Sequence, residues 1–228
     1  MKSVKYFVWV VLISILCCAV VNDGALAYSF ALTSDEKTGV DQPVEALPLP
    51  DSTLVCPASI EFGQTVQCSI TVVGTKVSLT FGANAGDRVR IRMLDTSGTA
   101  FYPRWWLYRP DGTDVCNSVG DPVADYNCSL NATGTYTILA GDYSGTNTGS
   151  FNLFIERLNN PGVPTPIAFS QTLSGSATIQ PELKAFTFSA SVGDRVRIRM
   201  LDTSGTVFYP RWWLYRPDGT DVCNSVGD

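Results

Sequence analysis

Residues 86–121 recur at residues 193–228 with a single change among 36 positions, Ala100 to Val207. The offset is 107 residues, and it continues upstream in weaker form. Ile60, Phe62, Gln64, Thr65 and Ser69 answer to Ile167, Phe169, Gln171, Thr172 and Ser176. Solenoid repeats are shorter, roughly 20–50 residues, whereas a period of this size matches a whole small domain. The chain therefore reads as tandem domains: repeat one over residues 52–158 and repeat two over 159–228, entered through Asn159-Asn160-Pro161-Gly162. By the offset, repeat two stops before the counterparts of residues 122–158. The expectation is a piece of a longer reading frame, because an unpaired sheet interior invites aggregation; the alternative is a second unit completed by another strand donor.

Within each repeat the apolar period is two. Val77, Leu79 and Phe81 alternate with Ser78 and Thr80, and Val89, Ile91 and Met93 alternate with Arg88, Arg90 and Arg92. Phe151, Leu153 and Ile155 continue the pattern near the end of repeat one. Such alternation marks half-buried antiparallel strands. Gly-Asp, Pro-Asp-Gly and Asn-Ala-Thr-Gly punctuate them as turns. With no helical stripe downstream, the predicted class is all-β: tandem antiparallel β-sandwiches, the second incomplete.

Ahead of the repeats, Lys2 and Lys5 precede an apolar run over residues 6–21 and the small-residue stretch Ala25-Leu26-Ala27. That order is a secretory signal peptide, residues 1–27, with an uncleaved anchor as the alternative. Residues 28–51, polar and ending in prolines, read as an extended linker. Secretion to the cell surface or beyond is expected, a location that permits disulfides. Cys56 and Cys68 stand twelve apart, as do Cys116 and Cys128. In repeat two Cys56 and Cys68 become Val163 and Gly175 together, while Cys116 becomes Cys223, whose partner position lies past residue 228. Joint loss of one pair and retention of the other predict Cys56–Cys68 and Cys116–Cys128 disulfides.

Four motifs in order, Gly86-Asp87-Arg88-Val89, then residues 102–112 (YPRWWLYRPDG), Gly134-Thr135-Tyr136-Thr137-Ile138 and Gly149-Ser150-Phe151-Asn152-Leu153, resemble the bacterial pre-peptidase C-terminal (PPC) domain. The resemblance covers repeat one and the first two-thirds of repeat two. It implies a jelly-roll-like β-sandwich of secreted proteins that assists secretion or localisation, or binds matrix or polysaccharide. The sequence departs from the family's usual setting in carrying no peptidase domain.

Charge and composition exclude several chemistries. The chain has no His, which removes Ser-His-Asp and Cys-His nucleophiles and His-ligated metals. Sixteen Lys plus Arg against 21 Asp plus Glu give a net charge of −5, so no basic field draws it to nucleic acid. Glycoside hydrolysis needs two carboxyls across a cleft, and Glu61, one of five Glu, becomes Ala168 in the second copy. The chain is read as non-enzymatic. Asp111, Asp114, Asp121, Asp125 and Asp142 fall in or near turns. Calcium favours such oxygens, but the EF-hand spacing is missing and solvated turn carboxylates are the expectation; no cofactor is assigned. On the strand around residues 101–109, Trp105 and Leu107 read as core, leaving Arg104, Trp106 and Tyr108, with the copies Trp213 and Tyr215, on the outward face. These rings form either a platform for polysaccharide or matrix protein, or a stack on Arg88, Arg90 and Arg92 as a surface ladder or domain contact. The predicted function is a non-catalytic binding, adhesion or spacer module outside the cell. The alternative is the accessory part of a secreted hydrolase.

Overall fold

The structure, a computed structural model, describes residues 4–11, 56–205 and 208–226. The linker assigned to residues 28–51 and most of the signal segment lie outside the described residues. Among the described residues, thirteen strands follow one another: β1 Val4–Val11, β2 Thr65–Ile70, β3 Val77–Ala83, β4 Arg88–Asp95, β5 Pro103–Tyr108, β6 Asp114–Val119, β7 Val123–Ser129, β8 Gly134–Asp142, β9 Gly149–Arg157, β10 Thr165–Pro166, β11 Leu183–Ala190, β12 Arg211–Tyr215 and β13 Asp221–Val226. The class is all-β, with no helix among the described residues.

Repeat one closes as a sandwich of two four-stranded antiparallel sheets, β2-β9-β4-β7 and β3-β8-β5-β6. The period-two alternation explains the packing between them. In β5, Pro103, Trp105 and Leu107 are buried while Arg104, Trp106 and Tyr108 are half-buried. Leu79 and Phe81 of β3, Tyr136 and Ile138 of β8, and Val89, Ile91 and Met93 of β4 fill the same core. Fully burying side chains of this size stabilises by about 1.5–3 kcal/mol each relative to exposure. The polar atoms carried inward are satisfied. Trp105 Nε1 donates to the Ala124 carbonyl (3.1 Å) and Tyr136 Oη donates to the Ala132 carbonyl (2.8 Å). Both expected disulfides form. Cys116–Cys128 joins β6 to β7, the edge strands of opposite sheets, and closing a loop this short is worth about 3 kcal/mol in the chain-entropy account.

The duplicated loops fold alike. The Pro-Asp-Gly turn after β5 places Gly112 at φ 83° and its copy Gly219 at φ 78°. In both, the glycine amide donates to the Arg carbonyl three residues back (2.9 Å), Arg109 in one and Arg216 in the other. A side chain at this positive φ would be strained, which is why glycine holds the position.

Above the level of loops the two copies diverge. Repeat two forms one sheet, β10-β11-β1-β12-β13. β11, β12 and β13 correspond by the offset to β3, β5 and β6, but residues 172–177 and 195–202, the counterparts of β2 and β4, are not strands. In repeat one those two strands are hydrogen-bonded to β9 and β7.

Candidate functional site

The seam between the repeats is formed by strands whose sequences promised an outward face. β4 was expected to turn its arginines to water, yet Arg90 and Arg92 are buried. What covers them is the aromatic strand of repeat two. Trp213 packs its ring 3.9 Å from the Arg90 guanidinium carbon, with Arg211 4.5 Å away. Tyr215 Oη accepts from Arg90 Nη1 (3.2 Å) and Asn127 Nδ2 (3.3 Å). Arg90 donates through Nε and Nη2 to the two oxygens of Asp125 (2.8 and 2.6 Å), and Arg92 Nε adds a third bond at 3.2 Å. Arg92 Nη1 donates to the Pro181 carbonyl across the seam (2.7 Å). Burial would raise the Asp125 carboxyl, but the Arg90 bond and charge, seconded by Arg92, outweigh it and hold Asp125 below the usual range. Around this polar centre Phe154 and Leu158 meet Leu183, Ala185, Trp213 and Tyr215 in an apolar cluster.

The same strand in repeat one has a different setting. Trp106 and Tyr108 are half-buried and face outward with Arg104. Arg104 lies 4.6 Å from the Trp106 ring, much as Arg211 lies against Trp213. The second cation over Trp106 comes from Lys76 at 4.5 Å, in place of the neighbour's Arg90. The sequence difference that separates the two faces is small. Lys76 and Ser78 of repeat one stand where repeat two has Leu183 and Ala185. An apolar pair gains by burial against Phe154 and Leu158, whereas a lysine there would have to be desolvated without a partner. Trp213 and Tyr215 are thus closed off from ligands, at 7% and 0% exposure. Trp106 and Tyr108 remain accessible.

The five turn aspartates are not brought together. Asp111 accepts from the Thr113 amide and hydroxyl (2.9 and 2.7 Å), which draws its carboxyl down, and the copy Asp218 repeats this with Thr220. Asp125 belongs to the arginine pair. Asp142 accepts from Ser144 Oγ and from the amides of Tyr102, Thr146 and Asn147; against the upward push of burial, these donors lower its carboxyl to about 2. Asp114 and Asp121 are exposed. No group of three or more acidic or cysteine side chains is arranged for a metal among the described residues.

One ionisable group escaped the sequence reading. Glu156 sits at an outward position of β9 in the alternation, yet it is buried. Its Oε1 accepts from the amides of Arg157 (2.7 Å) and Gly162 (3.1 Å), so the start of the inter-repeat linker folds over it. Burial pushes its carboxyl up to about 7, more than those amides and the Arg157 charge pull it down. The folded chain then holds a proton that an unfolded glutamate gives up near 4.5, so stability falls as pH rises from about 4.5 to 7 and levels off above. Urea midpoints between pH 5 and 8 are expected to show this slope, at most about 3 kcal/mol, and Glu156→Gln to flatten it. Equal slopes in the two proteins would refute the assignment.

No family model matches the chain, and no curated protein matches it. Solved structures do. The pre-peptidase C-terminal domain of a collagenase from Bacillus anthracis aligns at 15% identity over 43% of this chain and 92% of its own, with a TM-score of 0.37. PliG, a periplasmic inhibitor of g-type lysozyme, aligns from Aeromonas hydrophila at 16% identity over 43% of this chain and 95% of its own (TM-score 0.33). The Salmonella Typhimurium PliG aligns at 18% identity over 43% and 96% (TM-score 0.29).

Proposed function

We propose that the protein is a non-catalytic module of an oxidising space outside the cytoplasm, whose repeats dock face to face and whose first repeat offers the open copy of the docking face to an acidic polysaccharide. The observation that carries this reading is one aromatic strand in two environments. In repeat two it is sealed against Arg90 and Asp125, and in repeat one it remains open, flanked by Lys76 and Arg104. Arg104 Nε, like Nε of its copy Arg211, is buried without a hydrogen-bond partner among the described residues. An anionic sugar would supply the negative charge that Asp125 supplies in the seam, and its ring would lie against Trp106. Two disulfides fit an extracellular or periplasmic setting.

A glycan array and affinity electrophoresis in acidic polysaccharides test this. The unmodified chain is expected to be retained, more weakly at high salt, and Trp106→Ala to weaken retention at least tenfold. Absence of retention, or undiminished retention of Trp106→Ala, would remove the binding role and leave a spacer.

A further inference from the structure

The seam between the repeats gathers more positive charge than it neutralises. A cleft of about 480 Å³ opens there, lined by Arg88 and Arg90 of β4 and by Arg211 of β12. Arg88 and Arg90 are two apart on their strand and so share its outer face. The Arg88 stem packs against the turn between β12 and β13. A Cβ at Gly219 would lie 3.0 Å from Arg88 Cβ and 3.1 Å from its Cδ, so the turn comes this close because residue 219 is glycine. Arg90 and Arg211 flank one ring, that of Trp213. Of these three arginines only Arg90 has a carboxylate partner, Asp125, which it shares with Arg92. Arg88 and Arg211 form no ion pair among the described residues, and in each Nε is buried without a hydrogen-bond partner there. The repeat-one copy Arg104 also has such an Nε, but its ring neighbours are Trp106 and Tyr143. What the seam adds is the arginine pair of β4. The other carboxylates nearby do not balance it. Asp221 lines the cleft but is exposed, and Asp218, whose carboxyl the Arg88 charge helps to lower, accepts from the Thr220 amide and hydroxyl. The excess registers on Arg92: burial lowers it to about 10, and the charges of Arg90 and Arg211 push the same way against Asp125.

We propose that this cleft binds a doubly charged tetrahedral oxyanion, a sulfate or phosphate ion or a phosphate monoester, bridged between Arg88 of repeat one and Arg211 of repeat two. Two guanidiniums without carboxylate partners match two negative charges, and the planar fork of arginine suits oxygens held on one tetrahedral centre. A half-buried guanidinium lacking a counter-charge is costly, and the ion removes that cost. A sugar carboxylate offers one charge, the one Asp125 already supplies to Arg90 and Arg92. Asp221 weakens the field without cancelling it, since three guanidiniums and two carboxylates line the cleft and Asp125 is already paired. A group held by both Arg88 and Arg211 is bound only while the repeats are docked, so it strengthens the seam by mass action. The site shares no residue with the open Trp106 face and does not depend on that face binding polysaccharide.

The test titrates sodium sulfate into the full chain, with sodium chloride exchanged to hold ionic strength constant, and follows heat and amide hydrogen exchange at residues 211–215. Saturable binding of one sulfate per chain is expected. Exchange at 211–215 should slow at least tenfold at saturation, and chloride alone should not slow it. Arg88→Gln and Arg211→Gln are each expected to weaken binding at least tenfold, the loss of a charged hydrogen-bond donor, and Arg88→Lys and Arg211→Lys to weaken it less. Arg195→Gln, which removes the exposed copy of Arg88 and the same formal charge, should leave binding unchanged. Exchange at 211–215 without sulfate shows which variants keep their seam, and the slowing in the unmodified chain needs no variant. Inorganic phosphate and glucose 6-phosphate complete the series. Tighter binding of the ester assigns the cleft to a phosphorylated glycan, equal binding assigns it to the free ion, and both support an oxyanion site. Failure of all three probes to saturate, unchanged exchange at 211–215, full affinity in both glutamine variants, or an equal loss in Arg195→Gln would overturn the proposal.

Discussion

Asp125→Ala is expected to open the seam between the repeats and to cost about 3–5 kcal/mol, the usual penalty for removing one partner of a buried ion pair. The carboxylate accepts three bonds from Arg90 and Arg92, whose side chains are only 7% and 5% exposed against 23% for Asp125 itself. Deleting it leaves two guanidiniums of like charge facing each other with Tyr215 Oη and the Pro181 carbonyl as their remaining acceptors. The simplest relief is for the arginines to reach water, and Trp213 and Tyr215 block the way. The seam should therefore give before the sandwich does. Acrylamide quenching of tryptophan should rise in Asp125→Ala at denaturant concentrations that leave repeat one folded. Because the folded carboxyl is held below its ordinary value of 3.8, the contribution of the pair is full above that value and is lost as acid carries the pH down through the folded one. A stability within about 0.5 kcal/mol of the unmodified chain, the scatter expected of an indifferent surface change, would show that the pair is not holding the seam.

The part of this arrangement legible in the sequence was the part set by local rules. Alternation along β5 assigned Trp105 and Leu107 to the core and Trp106 and Tyr108 to the outside, because one face of a strand in a sandwich meets the other sheet whatever else happens. Co-variation of the cysteines between the copies gave the pairing. The same rules assigned Arg90, Arg92 and Glu156 to solvent, and here a longer-range contact prevailed. Both halves of that contact were visible as an arginine ladder and an aromatic strand, and their stacking was one of the two readings. What alternation could not tell was that the stack joins different repeats, since that depends on Leu183 and Ala185 replacing Lys76 and Ser78 on a third strand. The burial of Glu156 depends on the path of the linker past Gly162. β1 had no legible signal: past Lys5 it lies in an apolar run, which carries no period that distinguishes a leader from a central strand.

Duplicated sequence with different surroundings also yields the second large effect, a reversal of sensitivity between paired tryptophans. In repeat one Trp105 is fully buried and Trp106 half-buried; in repeat two Trp212, the copy of Trp105, is half-buried and Trp213, the copy of Trp106, is buried. Trp105→Ala is expected to cost about 3–5 kcal/mol, the range for emptying a packed aromatic site, and it additionally frees the Ala124 carbonyl that Trp105 Nε1 now satisfies. Trp212→Ala should cost about 1 kcal/mol, since a half-exposed ring leaves a dent that water fills and not a cavity. The order inverts for the outer pair: Trp213→Ala removes the ring packed beside Arg90 and should loosen the seam, whereas Trp106→Ala should leave the stability of the sandwich nearly unchanged. Denaturant midpoints for the four single variants check this directly. If the two copies responded in parallel, Trp105 with Trp212 and Trp106 with Trp213, the sequence would be choosing the buried face by itself. If the responses cross, the choice is made by what each sheet finds to pack against.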